Sequence, residues 1–204
     1  DRSVTMLTTD QRAGGRAVLA TGETVTVQDL FALSLVGSVN SAAVALARST
    51  GLTDAQFVQA MNQMAERLGM TTAKFVEPTG LDEKNIASAE DVSQLLRAAL
   101  QQPAIAEMVV RRDYSFQTAL GASRSVETTN WLLTSLARPE YTVIGGKTGY
   151  VTDAGYGFTV VVKRSGRQVL TVMLGSDSVD HRFTDTLTAL DWVDANYVWA
   201  PLSL

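Results

Sequence analysis

The sequence holds no cysteine and a single histidine. Without cysteine there is no disulfide scaffold, no thiol nucleophile and no thiolate ligand. With one imidazole, a zinc or iron–sulfur site has too few donors. A serine triad would have to run through His181, and no Gly-x-Ser-x-Gly motif accompanies it. An excess of charge is lacking too: 17 Lys+Arg stand against 21 Asp+Glu, a net charge of −4, with no Lys/Arg run. That excludes a nucleic-acid partner on electrostatic grounds. No apolar run approaches the roughly 20 residues of a membrane span. The start, Asp1 to Thr5, shows no charged stretch leading into an apolar one, so no signal peptide is legible, and its first residue is not Met. No repeat, low-complexity tract or linker interrupts the chain.

What is present suits one domain. The 204 residues are 46% hydrophobic and 19% charged, an ordinary globular balance with enough apolar material for one core. The first 25 residues are polar and turn-rich, and two short extended segments are expected there. Thr26 can cap a helix starting at Val27, with Asp29 in its first turn. Leu30, Phe31, Leu33, Leu35 and Val36 make that helix apolar nearly all round, so it should be buried. Gly37-Ser38 breaks it, and a second helix follows over about 41–49. Thr53-Asp54-Ala55-Gln56 is a capping box. Behind it, Phe57, Ala60, Met61, Met64 and Leu68 mark an amphipathic helix with the methionines as core filler. Ser88 caps a further helix with Val92, Leu95, Leu96, Ala99 and Leu100 on its inner face, and Pro103 opens a short one. From Asp113 the period changes to that of strands: Tyr114–Phe116, Tyr141–Ile144, Phe158–Val162 and, after a Ser165-Gly166 hairpin turn, Gln168–Leu174. A last helix covers about 182–197. Helices first, strands next and a helix last predict an α+β fold with an antiparallel sheet. The expected organisation is a single domain over 1–204, with a helical part at about 26–110 and a sheet part at about 111–204 joined by the N-terminal residues.

Two short motifs can carry chemistry. Ser38-Val39-Asn40 sits in the break between two buried helices, and either caps the second helix or serves a site. Gly145-Gly146-Lys147-Thr148-Gly149-Tyr150 lies at a strand end. As a phosphate loop it would need glycine where Tyr141 stands and a helix where Gly155 and Gly157 suggest a strand, so that reading fails. Trp131, Trp192 and Trp199 read as core or edge packing, His181 as exposed, and Glu77 as part of its own loop.

Ser-x-Asn followed about a hundred residues later by Lys-Thr-Gly resembles two of the three motifs of the penicillin-recognising serine enzymes. Within them the sequence is most similar to the D-alanyl-D-alanine carboxypeptidases, the low-molecular-weight penicillin-binding proteins. The stretch from Gly22 to Leu30, the segment Asn40–Ala47, Leu68-Gly69-Met70, Phe75–Asp82, Ser88–Asp91, Thr129-Asn130 and Ala154-Gly155-Tyr156 follow in family order. The likeness covers almost the whole chain.

The resemblance implies acyl transfer in peptidoglycan metabolism: a serine attacks the D-Ala-D-Ala carbonyl, D-Ala leaves, and water releases the acyl group. β-Lactams trap the same serine. It implies that Ser38 relays a proton to the leaving group and that Asn40 holds a lysine and the substrate amide. Lys147 supplies positive potential at the substrate carboxylate, and Thr148 hydrogen-bonds it. The Lys147–Gly149 strand edge pairs with the substrate backbone, the backbone N–H of Tyr150 forms half of an oxyanion hole, and Arg182 is a weaker candidate carboxylate clamp or else a surface charge. No metal or organic cofactor is implied. The implied place is the cell envelope, periplasmic or extracellular face.

The family's nucleophile lies in a Ser-x-x-Lys motif upstream of Ser-x-Asn. Three residues before Lys74, Lys84, Lys147 and Lys163 stand Thr71, Leu81, Ile144 and Val160, so the motif is absent, and Thr71 lies on the wrong side of Ser38. The sequence resembles the family's catalytic domain without its N-terminal strand and nucleophile helix. On that reading this chain is inactive and exposes an apolar groove beside Ser38 and Lys147, through which copies can associate. The alternatives are a non-catalytic homologue that binds peptidoglycan peptides or proteins, or a relative of class A β-lactamases.

Overall fold

A computed structural model describes residues 2–198. Strand β1 (Ser3–Thr5) pairs antiparallel with β2 (Thr24–Thr26), and β2 runs directly into α1 (Val27–Leu35). The start of α1 is fixed locally. The Thr26 hydroxyl accepts the Asp29 N–H, and the Asp29 carboxylate accepts the Thr26 N–H, a reciprocal cap. The same box opens α3 (Asp54–Arg67), through Thr53 and Gln56, and α4 (Ala89–Leu100), through Ser88 and Asp91. Between α1 and α3 lies α2 (Asn40–Arg48), and after α4 comes the short α5 (Pro103–Met108).

The second half is mostly sheet. β3 (Asp113–Gln117) and β4 (Ser123–Glu127) form an antiparallel hairpin. β5 (Thr142–Val151), β6 (Gly155–Arg164) and β7 (Arg167–Ser176) form a three-stranded antiparallel sheet in that order, so β5 is an edge strand. The turn between β6 and β7 holds Ser165 and Gly166 with φ of 49° and 79°, the left-handed pair a two-residue hairpin needs. Helix α6 (His181–Asn196) packs across the sheet.

There are two apolar clusters. One gathers Val4, Met6, Leu19 and Val25 with Leu30, Leu33 and Val36 of α1, Val39, and Ala42 and Ala45 of α2, plus Val126 from β4. The other gathers Phe158, Val160 and Val162 of β6 with Phe183, Leu187 and Leu190 of α6 and Leu132. The N-terminal residues, expected beside the sheet part, therefore line the helical core. So does the β3–β4 hairpin, whose Tyr114 donates to Asp29 at 2.9 Å and clips the hairpin to α1.

Other expectations are corrected. Met64 is 47% exposed and Leu95 39%, so the apolar stripes of α3 and α4 are only partly covered. Periodicity marks a stripe but does not supply what covers it. Trp131 stacks on Phe183 at 5.0 Å, as core packing requires, whereas Trp192 is 55% exposed. Trp199 lies outside the described residues.

Candidate active site

Helix α1 ends at a turn in which Ser38 adopts φ 55°. This is the left-handed region that a non-glycine residue enters at a cost. The turn is closed by the Val39 N–H on the Leu33 carbonyl at 3.1 Å. It is pressed from outside by Val126: a Cβ on Gly37 would lie 2.9 Å from that side chain. Capping does not explain Ser38 or Asn40. The residue preceding α2 is Val39, and no side chain caps that helix. The left-handed Ser38 closes the C-terminus of α1 through the backbone, and its side chain is left free for another use.

What meets Ser38 is Lys147. Its Nζ donates to Ser38 Oγ at 2.7 Å and to the Thr148 carbonyl at 3.0 Å. The contact spans 109 positions of sequence and joins the α1–α2 turn to edge strand β5. Two glycines before the lysine let the strand fit. A Cβ on Gly145 would collide with Leu100 and Val109, and one on Gly146 would lie 2.6 Å from the Thr159 carbonyl oxygen of β6. Burial pushes the Lys147 ammonium down to about 8, and the Arg182 charge pushes the same way.

Arg182 is not a surface charge. It is 7% exposed. Its Nη1 donates to the Gly149 carbonyl at 3.2 Å, and its guanidinium lies 5.5 Å from the Tyr156 ring centre. Its Nε is buried without a hydrogen-bond partner. Tyr156 also stacks on Tyr150, centroids 4.3 Å apart, which fixes the end of β5. Among the described residues neither Lys147 nor Arg182 has an acidic partner within ion-pair distance. Two cations share one strand edge with no counter-charge, which suits an anionic ligand.

Asn40 stands apart from this cluster. Its Nδ2 lies 3.5 Å from the Gly14 carbonyl, and the left-handed Gly14–Gly15 turn crosses close to it. Glu77 spends its carboxylate on its own loop, accepting from the Thr79 and Gly80 N–H groups and from Asn85. His181 is exposed and bonded to Asp177. One residue that sequence reasoning passed over is Thr129. Its hydroxyl lies 2.6 Å from that of Thr148. The Thr129-Asn130 pair was visible as a motif, but nothing local told of its contact.

A Ser38→Gly exchange separates the cost of the turn from its use. Glycine adopts the same φ freely, and the relief of about 1 kcal/mol should offset part of the cost of leaving the buried Lys147 ammonium without its Ser38 acceptor. Ser38→Gly should therefore be more stable than Ser38→Ala, which loses the same contact and keeps the strain, in a denaturation experiment. The Lys147 contact, and any activity that depends on it, should be lost. Equal stability of the glycine and alanine variants would show that the turn is unstrained.

A sequence profile of the D-alanyl-D-alanine carboxypeptidases matches residues 2–178. The chain is 29% identical over 172 residues to the D-alanyl-D-alanine endopeptidase of Escherichia coli, covering 84% of this chain and 54% of that protein. To a D-alanyl-D-alanine carboxypeptidase of Bacillus subtilis it is 28% identical over 193 residues, covering 93% and 48%. It thus spans about half the length of these relatives. Among solved structures, a Streptomyces DD-transpeptidase superposes with a TM-score of 0.86 at 25% identity, covering 96% of this chain and 79% of that one. A D-alanyl-D-alanine carboxypeptidase from Mycobacterium tuberculosis gives 0.85 at 28%, covering 100% and 77%. A helical lobe and an antiparallel sheet that meet at Ser38 and Lys147, in a fold shared with these enzymes and under a profile match that spans both motifs, place the chain in the D-alanyl-D-alanine carboxypeptidase family.

Proposed function

We propose that this chain forms the carboxylate-binding and proton-relay side of a serine acyl-transfer site acting on peptidoglycan peptides that end in D-Ala-D-Ala, and that β-lactams enter the same site. The observation that carries the reading is the Lys147 ammonium on the Ser38 hydroxyl, with the uncompensated Arg182 beside it. Lys147 donates to Ser38 Oγ, so the hydrogen of Ser38 is free to pass to the departing D-Ala amine while the proton given up by the attacking serine replaces it on Oγ. Thr148 and the two cations receive the terminal carboxylate. The open edge of β5 offers backbone groups to the extended peptide, with the Tyr150 N–H aimed at the developing oxyanion. The resemblance assigns the substrate amide to Asn40, whose side chain has to leave the Gly14 carbonyl to reach it.

The nucleophile is not among these groups. The 204 residues contain no Ser-x-x-Lys, and on this reading the chain as given does not form an acyl-enzyme. The proposed place of action is the outer side of the cytoplasmic membrane, where the peptidoglycan substrate lies. Among the described residues no helix is long and apolar enough to cross a membrane.

The test is intact-protein mass after incubation with benzylpenicillin, on this chain and on the product of its complete gene. Labelling of the gene product alone supports the reading. Labelling of neither favours a homologue that binds stem peptides without turnover. Labelling of the chain as given would make one of its own hydroxyls the nucleophile, with Ser38 and Thr71 first to be exchanged.

A further inference from the structure

Thr129 occupies an unusual place. It follows β4 in a loop tied down on both sides. The Thr128 N–H donates to the Arg112 carbonyl at 2.8 Å, the Asn130 N–H donates to Thr128 Oγ1 at 3.1 Å, and Asn130 Oδ1 accepts the Leu132 N–H at 3.1 Å. From this fixed loop Thr129 reaches in two directions. Its N–H donates to the Val36 carbonyl at the end of α1, at 3.3 Å. Its hydroxyl meets Thr148 on β5. Val36 lies two residues before Ser38, and Thr148 directly follows Lys147. Thr129 therefore closes a ring whose other link is the Lys147–Ser38 bond.

The chemistry of two touching hydroxyls is restrictive. Each threonine has one hydrogen to donate, and only one of the two can lie between the oxygens. If Thr148 donates to Thr129, it turns lone pairs toward the ligand and repels a carboxylate. If Thr129 donates to Thr148, the hydrogen of Thr148 is released toward the ligand and attracts it. Among the described residues each hydroxyl has only the other as partner and either can donate, so a carboxylate arriving beside Thr148 decides the direction: it draws the Thr148 hydrogen to itself, and Thr129 donates from behind. We infer that Thr129 is a positioning residue that sets the Thr148 hydroxyl as a donor toward the substrate's terminal carboxylate, and so helps the site select peptides with a free C-terminus. This rests on the acyl-transfer reading above.

The experiment uses the complete gene product and two probes: a diacetyl-Lys-D-Ala-D-Ala peptide and the same peptide capped as its C-terminal amide. KM and kcat are measured for each with the parent, Thr129→Val and Thr129→Ser. The parent should prefer the free acid. Thr129→Val keeps the shape and removes the donor. The Thr148 hydroxyl then loses the neutral bond that holds its oxygen, so KM for the acid should rise about fivefold, the equivalent of about 1 kcal/mol, and KM for the amide should stay near the parent value, so the preference falls by that factor. Thr129→Ser restores the donor and should restore the preference. An unchanged preference in Thr129→Val would overturn the inference while leaving the acyl-transfer reading intact. Equal losses for acid and amide, with a lowered melting temperature and no rescue by serine, would mean that Thr129 only holds the loop, and would also overturn it. Turnover of neither peptide by the parent would sink the acyl-transfer reading itself, and the inference with it.

Discussion

Exchange of Lys147 for methionine should slow penicillin acylation of the complete gene product by about 10²–10³-fold, the usual cost of removing one group that stabilises developing charge. Methionine keeps the apolar stem, so the site stays filled while the ammonium is lost. Two effects then coincide. Ser38 Oγ loses its donor, and the ligand carboxylate loses one of the two cations proposed to receive it. The pH dependence distinguishes this from simple damage. With the Lys147 ammonium held at about 8, carboxylate binding by the parent should weaken as pH rises through that value. The methionine variant should show no such limb. Exchange of Arg182 for glutamine should move the limb upward, because the Arg182 charge is one of the two causes of the shift.

Stability has the opposite sign. The folded protein holds Lys147 below its ordinary 10.5, so the cost of burying the charge is fully present below pH 8 and is relieved between 8 and 10.5. The methionine variant should be more stable than the parent at neutral pH, with the gain shrinking across that window. Acylation at the parent rate would remove Lys147 from the mechanism.

The second large effect is on the fold. Exchange of Gly146 for alanine should destabilise the protein by about 3 kcal/mol, the upper end for overpacking. The added Cβ would lie 2.6 Å from a backbone oxygen and 3.1 Å from Val160. A flexible side chain could retreat, but the Thr159 carbonyl belongs to the neighbouring strand and can move only if β5 and β6 part. Gly149→Ala is the internal control on the same strand, since nothing lies within 4 Å of its Cβ position. Urea midpoints for the two variants should therefore differ widely. Midpoints that agree would show that the β5–β6 pairing yields without cost.

The helix starts were legible because their causes are local. Thr26 with Asp29, Thr53 with Gln56 and Ser88 with Asp91 each lie within four residues. β4 was not legible: Ser-Arg-Ser-Val-Glu carries one apolar residue, and the strand exists through its register with β3. The Lys-Thr-Gly segment read as the end of a strand over Tyr141–Ile144, and the full ten-residue length of β5 depends on β6 beside it. At the site, the residue types were readable from their resemblance to a family. Their joining was not, because the Ser38–Lys147 and Thr129–Thr148 contacts are long-range. Local reasoning even pointed Ser38 the wrong way, toward a cap. The buried state of Arg182 was equally hidden, since it follows from how α6 lies on the sheet and from the aromatic rings of Tyr156 and Phe183.

The two apolar clusters have no buried residue in common, and the ring of Val36, Thr129, Thr148, Lys147 and Ser38 crosses from one to the other. In hydrogen-exchange terms such halves are candidates for separate cooperative units, each able to open at its own free energy. A ligand held at once by Ser38 and by β5 acts as a staple across that division. By linkage it adds about 2.7 kcal/mol at a hundred times its dissociation constant, and the addition falls on the separation of the halves. The amides slowed most by a bound peptide would then include, beside those of the α1–α2 turn that holds Ser38, those of the 128–130 loop, which is tied to both halves through Thr129.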